Sequence, residues 1–284
     1  MSRFADQFFT QITGLGPKEG PAEHPSIVFL HGVMGYAMNW RRVAKTFEDR
    51  YRVLAYDSRG HGRSVHADLL SNPDAYTPEC LAEDLRGILD DLGWDQVILV
   101  GHSMGGRVAY TFTARYPERV RGLVIEDIGP NMSPESASLS SRVLQTVPVP
   151  FASKRDAKEW FETQFPVLFS DLHDPLALGA WLYANITENS AGQAVWRFHA
   201  EGIRQAIVSG RNRERWQEIE QLSVPTLVVR GELSHDLPRD VFDRMLQSNK
   251  MIRGVEIAGA GHWVHSERHE PFVTAVREFT DSLL

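Results

Sequence analysis

A mostly parallel β-sheet with helices on both faces is the fold class this sequence predicts, and three observations predict it. Short β-branched runs alternate with helical stretches at both ends of the chain, the pattern of successive βαβ units. The run Gln96-Val97-Ile98-Leu99-Val100 lacks polar alternation, so it reads as a strand buried on both faces. Directly after it, Gly101-His102-Ser103-Met104-Gly105 leads into a helical stretch that closes before Tyr116-Pro117. A chain of 284 residues with 42% hydrophobic content can bury one large core and carry an insertion.

In order, the elements begin with an edge strand over 8–13 and a loop through Gly20-Pro21. Strand 27–31, helix 39–49, strand 52–56, helix 78–92, strand 96–101, helix 104–116 and strand 120–126 follow. The helix at 78 opens on Thr77 as its cap and Pro78 in its first turn, and Gly93 ends it. After Gly129-Pro130 the pattern changes. As far as Gln221 the stretches read as mainly helical and rich in aromatics, among them Trp160, Phe161, Trp181 and Trp196. Val224 to Gly231 resumes the strand pattern, then helix 239–248, strand 251–258 and a last helix to Leu284. Residues 1–130 and 222–284 therefore read as one core, and 131–221 as a helical cap inserted into it.

Composition narrows the function classes. With 30 Lys and Arg against 37 Asp and Glu, a net charge of −7, there is no basic footprint for nucleic acid. No apolar run approaches the ~20 residues that span a bilayer. Met1 to Asp6 lacks the apolar core of a secretory signal, so the cytoplasm is the expected compartment. Cys80 is the single cysteine, which excludes an internal disulfide and a thiol-rich metal site, and its place near a helix start predicts packing rather than reactivity.

The chemistry concentrates in Gly101 to Gly105, a G-x-S-x-G sequence. A serine on a sharp strand-to-helix turn has its hydroxyl exposed, and the glycines prevent collisions with the neighbouring strand and helix. The backbone N–H of Met104, just after the serine, then faces the anion that forms on an attacked carbonyl. Three further segments stand in a consistent order: Ile27 to Gly32, ending in His31-Gly32; Tyr56-Asp57-Ser58-Arg59-Gly60-His61-Gly62-Arg63-Ser64; and Gly261-His262, after the strand-like Val255 to Ala258. With these four motifs the chain resembles the α/β-hydrolase superfamily over nearly its whole length outside about 130–221. The resemblance implies that the oxyanion loop begins at His31-Gly32, which makes the Val33 N–H the second oxyanion donor beside Met104.

A serine hydroxyl needs a base at neutral pH. Of the 11 histidines, His262 follows a glycine-flanked loop past the last strand, at the C-terminal edge where open α/β sheets place their sites; His265 is the second choice. His31 reads as structural, and His102 is expected to point away from Ser103. The acid departs from the commoner family pattern, an aspartate three residues after the glycine that ends the seventh strand. Here Gly231-Glu232-Leu233-Ser234 puts a serine there, with Asp236 two residues later. Asp127, at the tip of the sixth strand of that pattern, is the preferred acid, and Leu123 to Pro130 resembles small bacterial serine esterases with the acid after that strand. Glu126 is adjacent, but neighbouring strand residues face opposite ways, so only one of the two can face His262. Asp57 and Arg59 are expected to lock their turn, and Trp40 to serve either core or pocket.

The resemblance implies a carboxylic-ester hydrolase working through an acyl-enzyme, with Ser103, His262 and Asp127 as its triad, a small-molecule ester as partner, and no metal or organic cofactor. Thioesters, lactones, lysophospholipids and amides, or carbon–carbon bond hydrolysis, remain alternatives on the same fold, as does a ligand-binding protein without turnover. A serine at 103 argues against epoxide hydrolases and haloalkane dehalogenases, whose mechanism needs a carboxylate nucleophile. Oligomeric state is not legible.

Overall fold

The computed structural model describes residues 3–21, 23–64, 73–131, 134–209 and 213–284. Its strands are β1 (Thr10–Gly14), β2 (Ser26–Leu30), β3 (Arg52–Tyr56), β4 (Val97–His102), β5 (Val120–Glu126), β6 (Ile186–Glu188), β7 (Ala194–Trp196), β8 (Thr226–Gly231) and β9 (Ile252–Ile257). Its α-helices in the first half are α1 (Arg41–Lys45), α2 (Pro78–Leu92), α3 (Met104–Arg115) and α4 (Pro134–Thr146). Then come α5 (Lys154–Thr163), α6 (Phe165–Leu168), α7 (Pro175–Tyr183), α8 (Ala200–Ser209), α9 (Trp216–Glu220), α10 (Arg239–Ser248), α11 (Val264–Glu267) and α12 (His269–Asp281).

Seven strands form one sheet in the order β1-β3-β2-β4-β5-β8-β9, parallel throughout except for β1 against β3. The pleat divides its core. Leu99 and Leu123 turn to one face with Leu85, Val108 and Phe112. Ile98, Val100 and Val124 turn to the other with Phe29, Trp40 and Phe272. Each such buried side chain contributes about 1.5–3 kcal/mol of transfer free energy. Register then decides where the chemistry lies: His102 pairs with Glu126, and Glu126 with Val229, so β4 and β5 end level while β8 runs on to Gly231. Ser103 and Asp127 are each the first residue beyond those ends.

The expected sheet and its mostly parallel order agree with this architecture, and two local expectations are corrected. The helix read over 39–49 is a 3₁₀ turn at Ala37–Trp40 followed by the short α1. The Thr46 hydroxyl and N–H both bond Val43 O (2.7 and 2.9 Å), so Phe47 N–H turns to Ala44 O at 3.0 Å and the α-helical ladder stops. The segment between β5 and β8 is mainly helical, and within it β6 and β7 form an antiparallel hairpin. Asn189 closes it, its Oδ1 accepting from Ala191 and Gln193 N–H (3.0 Å each), with Gly192 at φ 79°. The last helix ends at Asp281 rather than Leu284, where the Ser282 hydroxyl bonds Phe279 O at 2.6 Å.

The aromatics between β5 and β8 build a third core of their own around Phe161, Phe165, Phe169, Trp196 and Phe198, with Met34 of the sheet's upper edge packed into it. By contrast α9 joins the main core through Trp216 and Ile219. Arg215, fully buried at its side chain, bonds Glu79 of α2 at 2.9 and 3.0 Å and Glu218 at 2.7 Å. Among the described residues no helix is long and apolar enough to cross a membrane.

Candidate active site

Ser103 sits at the turn between β4 and α3 with φ 53° and ψ −117°, a conformation that side-chain-bearing residues rarely adopt. Close approach on both sides makes the turn possible. A Cβ on Gly101 would lie 2.3 Å from Gly105 O, and one on Gly105 would lie 2.3 Å from Leu30 O. Ser103 N–H bonds Glu126 O at 3.0 Å, which anchors the turn to β5. Among the described residues only Met34, Ser103 and Asp127 combine a side chain with positive φ, and all three lie at this edge of the sheet. Such strain collects where a site must be held in one geometry.

His262 follows β9 on the loop Ala258 to Gly261. Its Nδ1 lies 2.8 Å from Asp127 Oδ2, and Asp127 is fully buried. The Asp127 carboxylate is bonded on both oxygens. Oδ1 accepts from Gly231 N–H at 2.9 Å, and Oδ2 accepts from the Ser234 hydroxyl as well as from the imidazole. Ser234 Oγ in turn accepts Asp236 N–H at 3.1 Å. The serine in the commoner acid position is therefore bonded to the aspartate that faces the histidine. With Nδ1–H donated to Asp127, Nε2 is left as the basic nitrogen.

Asp236 is not remote. Its Oδ2 lies 3.5 Å from His262 Nδ1, close enough for charge attraction and beyond the hydrogen bond that Asp127 makes. Burial alone lowers the pKa of His262. The charge of Asp236, the hydrogen bond and charge of Asp127, and the charge of Glu126 outweigh it, and hold the imidazole above its ordinary value. Burial raises the pKa of Asp127, opposed by the bonds from His262 and Ser234.

Ser103, His262, Val33 and Met104 line one cavity of about 90 Å³. Its walls are apolar, with Met34, Val143, Leu182 and Ile207 among them. Met104 is the first residue of α3, where a backbone N–H has no acceptor within the helix. A larger vestibule of about 710 Å³ adjoins it across His262 and Trp263. There Arg142, Asp171 and His173, between β5 and β8, face His235, Asp236 and Arg268. Trp181 lines both spaces and meets Trp263 at 5.2 Å between ring centres.

The other candidates settle into supporting places. His31 Nε2 accepts Ser58 N–H at 3.0 Å while its Nδ1–H bonds Gly32 O at 2.8 Å, and burial lowers its pKa to about 4. Asp57 accepts the N–H groups of Ala37 (2.7 Å) and Arg63 (2.8 Å), and Arg59 forks onto Asp84 of α2. Trp40 is core, stacked on His265 at 4.4 Å. His265 does not reach Asp127; it bonds Glu126. His102, expected to point away from Ser103, meets the loop of His262 instead. Its ring lies 4.6 Å from that of His262, and its Nε2–H donates to His262 O at 2.9 Å. Alternation along β4 turns it from the Ser103 side chain but not from the loop that crosses above. Sequence reasoning missed the bond from Ser234 to Asp127, though a hydroxyl in the acid's usual place was its signal.

Residues 25–269 match the family described as alpha/beta hydrolase fold, and the chain belongs to that family. It is 30% identical over 266 residues to the sn-1-specific diacylglycerol lipase ABHD11 of Mus musculus, a match covering 92% of this chain and 82% of the relative. Among solved structures, a marine microorganism esterase is 27% identical with a TM-score of 0.78, over 96% of this chain and 98% of the esterase. E-2-(acetamidomethylene)succinate hydrolase shares the fold at TM-score 0.78 and 22% identity, over 96% and 99% of the two chains. The chain is thus a hydrolase of this family, related to lipases and esterases.

Proposed function

We propose that this hydrolase cleaves carboxylic esters by a serine mechanism, and that Ser103, His262 and Asp127 carry it out. The observation that supports this most is the bonded line from Ser234 through Asp127 to His262, ending at the cavity that holds Ser103. His262 Nε2 takes the hydroxyl proton as Ser103 attacks the ester carbonyl. The N–H groups of Val33 and Met104 hold the oxyanion. The imidazolium then gives its proton to the leaving alcohol, and a water activated by the same nitrogen frees the acid. On this reading the apolar cavity takes the acyl group. The alcohol, which must face His262 to be protonated, leaves through the polar vestibule. Residues 131–221 act as the cap over both. The related lipase and esterase names agree with ester chemistry, and the serine nucleophile separates the chain from carboxylate-nucleophile hydrolases.

Rapid mixing with p-nitrophenyl acetate tests the acyl-enzyme. The expected trace is a burst of about one equivalent of p-nitrophenol per protein, followed by a slower steady rate where deacylation limits. No release of p-nitrophenol above the buffer rate would favour the ligand-binding alternative.

The surroundings of His262 also set the pH dependence. A base must be neutral to act, and an imidazole held above its ordinary pKa of ~6.5 becomes neutral late. The kcat/KM for a neutral ester is therefore expected to keep rising above pH 7. Asp236→Asn removes one of the anions that favour the imidazolium, so the rise moves to lower pH while the alkaline plateau changes little. A pH profile that does not shift in Asp236→Asn contradicts this account of the base.

A further inference from the structure

A second histidine–carboxylate pair lies beside the first, and no step of the proposed chemistry passes through it. Glu126 and Asp127 are consecutive at the tip of β5, and the pleat sends their carboxylates to opposite sides. Asp127 meets His262. Glu126, fully buried, accepts His265 N–H at 2.8 Å and faces His265 Nδ1 at 2.8 and 3.0 Å with its two oxygens. His265 is three residues beyond His262, in the single turn of α11. Its ring is stacked on Trp40 at 4.4 Å and 26°, and meets His102 edge-on at 5.2 Å. His102 holds the carbonyl of His262 at 2.9 Å.

We infer that Glu126 and His265 are positioning residues: the pair fastens the turn after His262 to the tip of β5 and so fixes the imidazole against Ser103. This rests on His262 being the base and Ser103 the nucleophile. Three observations carry it. Residue 126 touches both partners, since its carbonyl takes Ser103 N–H at 3.0 Å while its carboxylate holds His265. Neither Glu126 nor His265 lines the apolar cavity or the vestibule, so neither is placed to meet substrate. The loop before His262 is Gly259-Ala260-Gly261, which by itself leaves the imidazole many orientations. A carboxylate sealed in the interior costs several kcal/mol unless its partners compensate, and an apolar side chain would pack there without that cost. What the charge adds is direction: it captures one N–H and one ring nitrogen in a fixed geometry.

The test compares Glu126→Leu, Glu126→Gln and His265→Phe, with rates expressed per active site titrated by the p-nitrophenol burst. Leu removes every acceptor, whereas the Gln carbonyl can still take His265 N–H. Phe keeps the stack on Trp40 without the ring donor, and serves in its place if the Leu variant does not fold. Misplacing a catalytic group by about 1 Å costs up to about 10²-fold. We expect kcat to fall about 10- to 100-fold in Glu126→Leu and His265→Phe with KM within about twofold, and Glu126→Gln to recover most of the loss. If the variants lose thermal stability or titratable sites but keep the wild-type kcat per site, the pair is only structural and the inference falls. The same holds if Gln is as impaired as Leu. Failure of the mechanism itself is distinguishable, because it would appear as an active Ser103→Ala protein whatever the Glu126 variants do.

Discussion

Ser103→Ala is expected to fold normally and to lose ester hydrolysis by on the order of 10⁶ in kcat, the usual cost of removing a triad nucleophile. The substitution removes one oxygen from a residue only 8% exposed. Alanine also relieves nothing in the backbone, because the positive φ of 53° is imposed by the approach of β4 to α3. Stability should therefore change little while turnover disappears. Far-ultraviolet circular dichroism, a thermal melt and steady-state rates on one preparation separate the two. Near-normal turnover by folded Ser103→Ala protein would remove the serine from the mechanism.

Asp127→Asn is expected to lower kcat by about 10³- to 10⁴-fold and to leave KM nearly unchanged. Asparagine offers an N–H where the carboxylate accepts one, so His262 is driven to carry its proton on Nε2, the atom that must be basic. Its imidazolium also loses the charge 2.8 Å away. The amide oxygen in the Oδ1 place would still accept Gly231 N–H, and the Ser234 hydroxyl can turn to accept the second amide N–H, so the tip of β5 should hold its shape. If instead Asp127→Asn is mild and Asp236→Asn is the crippling change, the acid is Asp236 and its 3.5 Å separation closes when substrate binds.

Much of this arrangement is legible in the sequence alone. Apolar runs without alternation mark β4 and β5, and the register of a parallel sheet then places the residues after their ends side by side. That is why Ser103 and Asp127, 24 residues apart, emerge at one edge. What could not be read are contacts between segments distant in sequence. Alternation along β5 separates Asp127 from Glu126 but says nothing of what either meets, and the pairing of Glu126 with His265 depends on how the last loop crosses the sheet. In the sequence Asp236 reads only as a substitute for Asp127, whereas the turn held by Ser234 brings it beside the same imidazole. The β6–β7 hairpin was hidden for a different reason. Its strands are three residues each, too short for a period of two to stand out, and the turn residues Asn189 and Gly192 were its only strong signal.

The central claim is that a covalent acyl group passes through Ser103, and the acylated protein itself tests it most directly. Quenching the p-nitrophenyl acetate reaction in acid during the burst, then weighing the intact protein and its peptides, should find one acetyl group on the peptide that carries Ser103. The Ser103→Ala protein should carry none there. An acetyl group on another residue, or unmodified protein throughout a burst of full amplitude, would contradict the mechanism.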